Sequence, residues 1–206
     1  MSRRNNRQME SMRARIAAAA ARIMAEDGVD DFALAKRKAA RSLGAGETEA
    51  LPGNDEIEAE LRAYRDLYQA DEHPQHIAEL RELALEAMRA LESFHPYLTG
   101  PVLKGTAGPY GEIELQLFPE SSKEVEMFLL ERNIPFETRE ARRFSGDRVH
   151  PVSVFTLLWN DVPLKLSVFD PRDERVALKT SQAGRVMERA GIAEVLGLVR
   201  EGGRAA

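Results

Sequence analysis

The chain has 206 residues, of which 43% are hydrophobic, 31% charged and 6% aromatic, and its net charge is −5. That is enough apolar material for a sizeable core, and too short a chain for a large multidomain assembly. With no cysteine, disulfides, thiol nucleophiles, zinc fingers and iron–sulfur clusters are excluded, so any metal would have to use oxygen or the four histidines.

No stretch approaches the roughly 18 consecutive apolar residues of a membrane span. The start, Met1 to Arg7, leads into a charged helix instead of an apolar signal-peptide run, so a cytoplasmic protein without a membrane partner is expected. Charge is unevenly placed. Arg3, Arg4, Arg7, Arg13, Arg15, Arg22, Lys36, Arg37, Lys38 and Arg41 make the front basic, and Glu47 to Glu92 is dominated by acids.

Met9, Met12, Ile16, Ala19 and Ile23 recur at helical spacing, the run Ala17 to Ala21 has high helix propensity, and Gly28 supplies a stop, which predicts a first helix. Asp30 or Asp31 can cap a second, with Phe32, Leu34, Ala35, Ala39 and Leu43 as its apolar side and Gly44 as its end. Asn54 suits the cap of a third, carrying Ile57, Leu61, Tyr64 and Tyr68. Pro74 fits the first turn of a fourth, running through Ile77, Leu80, Ala84, Ala87 and Leu91.

Beyond Pro96 the period moves toward two. Tyr97 to Leu103 reads as a strand with a turn, and polar and apolar residues alternate strictly from Glu112 to Phe118, as on a half-buried strand. Ser121 and Glu124 make a capping-box pair for a helix that ends near Asn133. Phe136 to Phe144 is a charged edge strand, and Val152 to Trp159 and Val162 to Phe169 flank a tight hairpin at Asn160-Asp161. Short helices are expected near Ser181 to Ala190 and Ile192 to Arg200, with a fraying tail from Gly202 to Ala206. The sum is an α+β protein, an all-helical region over 1–72 preceding a mixed-sheet domain over 73–206.

The chemistry-bearing stretch is Leu98 to Leu115. A strand runs into Gly100, a small-residue loop follows, and a second strand returns bearing Glu112 and Glu114. Alternation puts both carboxylates on one face, where they repel unless a divalent metal, an ammonium or a guanidinium stands between them. Carboxylates beside a glycine turn can hold magnesium against nucleotide phosphates, because backbone approach needs glycine and magnesium prefers oxygen ligands.

From Pro74 to Asp170 this pattern resembles the minimal nucleotidyltransferases, the DNA polymerase beta-like superfamily. Gly100 falls on the family glycine, Gly105-Thr106-Ala107 on its loop, and Glu112 and Glu114 on the two metal-binding acids. The resemblance implies a nucleotidyltransferase-like mixed sheet, with Mg2+ on Glu112 and Glu114 and a nucleoside triphosphate near Gly100, Pro101, Lys104, Gly105 and Thr106. If the chain is active, a nucleoside monophosphate would pass from the triphosphate to a hydroxyl. The chain also departs from the pattern. Pro101 replaces a serine, removing a hydroxyl and a backbone N–H. Glu replaces Asp twice, moving each carboxylate outward by about 1.5 Å. Lys165 stands at or near the position of the third acid, so its ammonium is expected beside Glu112 and Glu114 in place of a metal's charge.

The alternative function is therefore a degenerate member that binds a nucleotide, RNA or a protein without turnover. Lys36, Arg37, Lys38 and Arg41 could meet RNA or DNA phosphates, although a solvated helix face is the commoner meaning of such a cluster. Arg139, Arg142 and Arg143 could contact a triphosphate from an adjoining strand, or simply blunt an edge. His73, His76, His95 and His150 are too scattered to form a metal motif.

Overall fold

The computed structural model describes residues 3–29, 31–46, 50–70, 72–145, 148–179 and 186–205, with only the helical backbone at 3–7 and 203–205. The chain divides into two compact units. The first takes in Met1–Pro74, including the helical region expected over 1–72, together with Thr106–Gly111; the second comprises Gln75–Gly105 and Glu112–Ala206.

The first unit is a helical packing of α1 (Arg3–Asp27), α2 (Phe32–Ser42) and α3 (Asn54–Tyr68), with α1 against both others. Its buried seam is Ile16, Ala17, Ala20, Ala21, Met24 and Ala25 of α1, Ala35, Ala39 and Ala40 of α2, and Ile57 and Leu61 of α3. Seven of these residues are alanines at helical spacing, so the axes can approach closely with little side-chain entropy to lose. Ile16, Ala35, Ala39, Ile57 and Leu61 are buried as expected, whereas Met9 and Tyr68 are exposed and Ala19 and Ile23 only partly buried. Asp31 caps α2, its carboxylate accepting from Ala33 N and Leu34 N; Asp30 lies outside the described residues. The cap of α3 is Gly53, one residue before the expected Asn54, and Glu56 accepts from its N–H at 2.6 Å.

The second unit holds α4 (Glu72–Ala90, whose first residues belong to the helical unit), a 3-10 turn at Glu92–Phe94, β1 (Tyr97–Thr99), α5 (Gly100–Lys104), β2 (Ile113–Leu117), α6 (Ser122–Glu131), β3 (Phe136–Ser145), β4 (Arg148–Trp159), β5 (Val162–Val168), a 3-10 turn at Pro171–Arg175, β6 (Arg189–Ala190) and α7 (Ile192–Ala205). The six strands form one mixed sheet in the order β3-β4-β5-β2-β1-β6, in which only β2 and β5 run parallel. The chain is thus α+β, with helices leading and a mixed sheet following.

Three local expectations are corrected. The strand expected over Tyr97 to Leu103 ends at Thr99: Gly100 turns at φ 72° and Pro101, whose fixed φ suits the first helical turn, opens α5. The helix expected from Ser181 to Ala190 is extended where it is described, with Val186 bridged to Lys179 and Arg189-Ala190 forming β6; residues 181–185 lie outside the described residues. The last helix runs on through Gly202 and Gly203 to Ala205, where fraying was expected; Ala206 is outside the described residues. The hairpin appears as expected, with Asn160 at φ 47° and Asp161 at φ 64°, the left-handed pair of a tight turn matching strand twist. Asn133 is left-handed at φ 53°, ending α6, and β3 is an edge.

One sheet face is the apolar core: Leu98, Ile113, Leu115, Leu164, Leu166 and Phe155 share it by register and are almost fully buried. The opposite face is partly covered by a second apolar cluster, Phe118, Val152, Val154, Phe169 and Leu178. The remainder of that second face carries polar side chains.

Candidate functional site: a lysine between two glutamates

Register decides which side chains meet. Thr99 pairs with Glu114, Glu114 with Lys165, Lys165 with Thr156 and Thr156 with Glu137, one row across five strands on the face opposite the main core. Glu112, two residues before Glu114, projects to the same side. The Lys165 ammonium donates to Glu114 Oε1 at 2.9 Å and to Glu112 Oε1 at 3.2 Å. The three sequence-selected side chains therefore form one cluster, with Lys165 15% exposed and Glu112 and Glu114 31% and 27% exposed.

Burial is the largest single influence on Lys165 and works against its charge. The attraction and hydrogen bonds of Glu114, then of Glu112, together outweigh burial and leave its pKa above the ordinary lysine value. Gly100 closes the other side of the cluster. A Cβ there would lie 2.8 Å from Glu114 Oε2 and 2.9 Å from its Cδ, so the missing side chain is what admits the carboxylate.

The other loop residues have structural surroundings. Pro101 lies in the first turn of α5 and Lys104 is its last residue. Gly105 is the left-handed terminus, and Arg81 of α4 donates to the carbonyls of Val102 (3.2 Å) and Leu103 (2.9 Å), meeting the oxygens a helix end leaves open. Thr106 is buried and belongs to the helical unit.

As folded, the residues do not suit magnesium. The point the two carboxylates could share is taken by an ammonium of the same chain, and no carboxylate occupies the Lys165 position. Among the described residues, no group of three or more His, Asp or Glu is placed to hold a metal ion. A divalent cation would have to expel Lys165 from two hydrogen bonds before finding even two ligands.

No family model, curated protein or solved structure matches the chain.

The same face continues toward the far end of β3 and β4, where Arg139 and Arg143, two of the three arginines offered as triphosphate contacts, lie on β3. Arg143 and His150 are cross-strand partners there. His150 Nδ1 lies 2.8 Å from Asp173 Oδ2, and Asp173, in the 3-10 turn after β5, is itself buried. Burial lowers the Arg143 pKa below the usual arginine value; Glu114 acts the other way and Arg139 adds to the lowering, so the guanidinium lies within electrostatic reach of both. The arginines were readable as candidates, but the only signal for the meeting of Arg143 with His150 was position parity, which is uninformative until the hairpin register is known.

The basic cluster belongs to the helical unit. Lys36 donates to Asn54 Oδ1 at 2.7 Å, Lys38 lies 3.9 Å from Asp27, and Arg37 and Arg41 are exposed. A cavity of about 240 Å³ in the α+β unit, lined by Ser121, Ser122, Glu140, Pro151, Phe169 and Asp170 among others, includes none of Glu112, Glu114 and Lys165.

Proposed function

We propose that the α+β unit is a nucleotidyltransferase-like domain that binds a nucleotide without magnesium and does not transfer it. The observation that carries this reading is the Lys165 ammonium within 3.2 Å of both glutamates, where a catalytic metal pair would need open carboxylates. Support for a nucleotide comes from the order of parts: a glycine turn against the acidic strand, the two acids on alternate residues, and arginines on the same sheet face. Phosphoryl transfer depends on cations that neutralise charge developing on the phosphates. A tethered ammonium can balance static charge, but it cannot offer the coordination sites that align an attacking hydroxyl.

Each nucleoside triphosphate is titrated calorimetrically with magnesium and, separately, with EDTA, and each is incubated radiolabelled with magnesium or manganese. Binding that is equal with and without the metal, and no labelled product, is expected. Metal-dependent transfer that disappears in Glu112→Ala and Glu114→Ala would overturn the proposal.

A further inference from the structure

Arg143 and His150 carry a feature the lysine cluster does not explain. They face the same side of adjacent strands, and each has a buried polar atom without a hydrogen-bond partner among the described residues: Nε of Arg143 and Nε2 of His150. Buried polar atoms are normally satisfied, and leaving one unsatisfied is costly. Two on cross-strand neighbours of one sheet face indicate a shared polar guest.

We infer that Arg143 and His150 form the phosphate subsite of the ligand bound by the α+β unit. This inference rests on the nucleotide reading above and names the side chains that grip the phosphate end. Arg143 offers a planar fork of N–H donors, of which one, Nη1, already donates to the Arg142 carbonyl at 3.1 Å. A phosphate oxygen accepts from the unused Nε–H. His150 is held by Asp173 through Nδ1, which fixes the ring and leaves Nε2 for the ligand; with both ring nitrogens protonated, Nε2–H donates to a phosphate oxygen. Arg139, on the same face four residues before Arg143, supplies a second positive charge whose repulsion with Arg143 an oxyanion relieves. The 3-10 turn carrying Asp173 begins at Pro171, and Asp170 caps it by accepting from Arg172 N at 2.8 Å, so the carboxylate that orients His150 sits on a fixed turn. Asp173 is a positioning residue, and Arg143 and His150 are the contacting ones.

The test uses calorimetric titration of the full chain with a nucleoside, its monophosphate, its triphosphate and inorganic pyrophosphate, all without metal. Affinity should rise from nucleoside to triphosphate, and pyrophosphate alone should bind. Arg143→Lys, which keeps the charge but not the fork, and His150→Gln should each weaken triphosphate and pyrophosphate about tenfold or more, the loss of one charge-assisted hydrogen bond, and leave the nucleoside unaffected. In the unsubstituted protein, pyrophosphate should shift the His150 ring nitrogen resonances, a readout independent of how the variants fold. If nucleotides bind equally well to wild type and both variants and the ring signals stay still, the subsite is wrong while the nucleotide reading stands. If pyrophosphate binds through these residues but nucleotides bind no tighter, the subsite stands and the nucleotide reading fails. No phosphate-dependent binding of any kind overturns both.

Discussion

Replacing Lys165 with methionine keeps most of the side-chain volume and removes the charge that faces Glu112 and Glu114. The carboxylates then face each other with no ammonium between them. Two unit charges about 4 Å apart interact by about 4 kcal/mol at an effective dielectric constant of 20. Removing one partner from a fully buried pair costs about 3–5 kcal/mol. Neither figure applies in full. Glu112 and Glu114 are 31% and 27% exposed, so they can turn toward water, and wild-type Lys165 already bears a desolvation cost at 15% exposure. The expected loss is about 2 kcal/mol, or roughly 5–10 °C in the thermal transition of the α+β unit. Urea unfolding followed by circular dichroism measures it. The companion variant is Lys165→Met with Glu114→Gln, which removes the repulsion along with its cause and should recover about 1 kcal/mol. If Lys165→Met unfolds at the wild-type urea midpoint, or if the second substitution recovers nothing, the ammonium does not hold the carboxylates together.

The raised pKa of Lys165 has a definite sign: its contribution is complete below the ordinary lysine value of 10.5 and fades as the pH climbs through the higher folded value, so wild type and Lys165→Met should converge in stability only in strong alkali, by urea titration. Glu56 is the opposite case. The Arg13 guanidinium, donating to it at 2.8 Å, and then the Gly53 N–H hold its pKa down to about 2, so the clamp it forms between α1 and α3 is complete above the usual carboxylate range and lost as the pH falls from about 4.5 toward 2. Because this pair is exposed, the acid sensitivity should be small, weaken in salt and vanish in Glu56→Gln. Gly100→Ala combines a left-handed residue, costing about 1–2 kcal/mol, with a methyl group driven into the Glu114 carboxylate, and should destabilise by about 2–3 kcal/mol. Part of that loss should be absent in the Lys165→Met background, where Glu114 is free to move aside, as a double-variant cycle would show.

Much of the site was readable from the sequence because it depends on alternation and one turn. Glu112 and Glu114 share a face in any strand, and Asn160-Asp161 fixes the hairpin that brings in β5. What alternation could not supply was the neighbour on each side. Gln116 reads as a wet-face residue but is buried, because β2 is an interior strand between β1 and β5 and the Gln116 amide donates to Met187 Sδ at 3.8 Å. The short helix α5 after β1 was hidden because Gly100-Pro101 suits both a turn after a strand and the first turn of a helix. Arg143 and His150 were hidden more deeply, since their meeting depends on the register of a ten-residue pairing, and Asp173 reaches them from a turn 23 residues beyond His150. The helical unit was legible in its elements and in the part of its seam formed by Ile16, Ala35, Ala39, Ile57 and Leu61, but less so along α1, where small alanines leave hydrophobic periodicity faint.

The rim strand β3 has a consequence for molecules that meet in crowded solution. Arg139, Glu140, Arg142 and Arg143 follow one another closely along its ten residues, with Glu137 near the start. A foreign segment docking alongside would have to lay its own backbone against a rail of alternating sign, stripping water from several full charges to gain each rung. Lateral growth of the array therefore stops at this border.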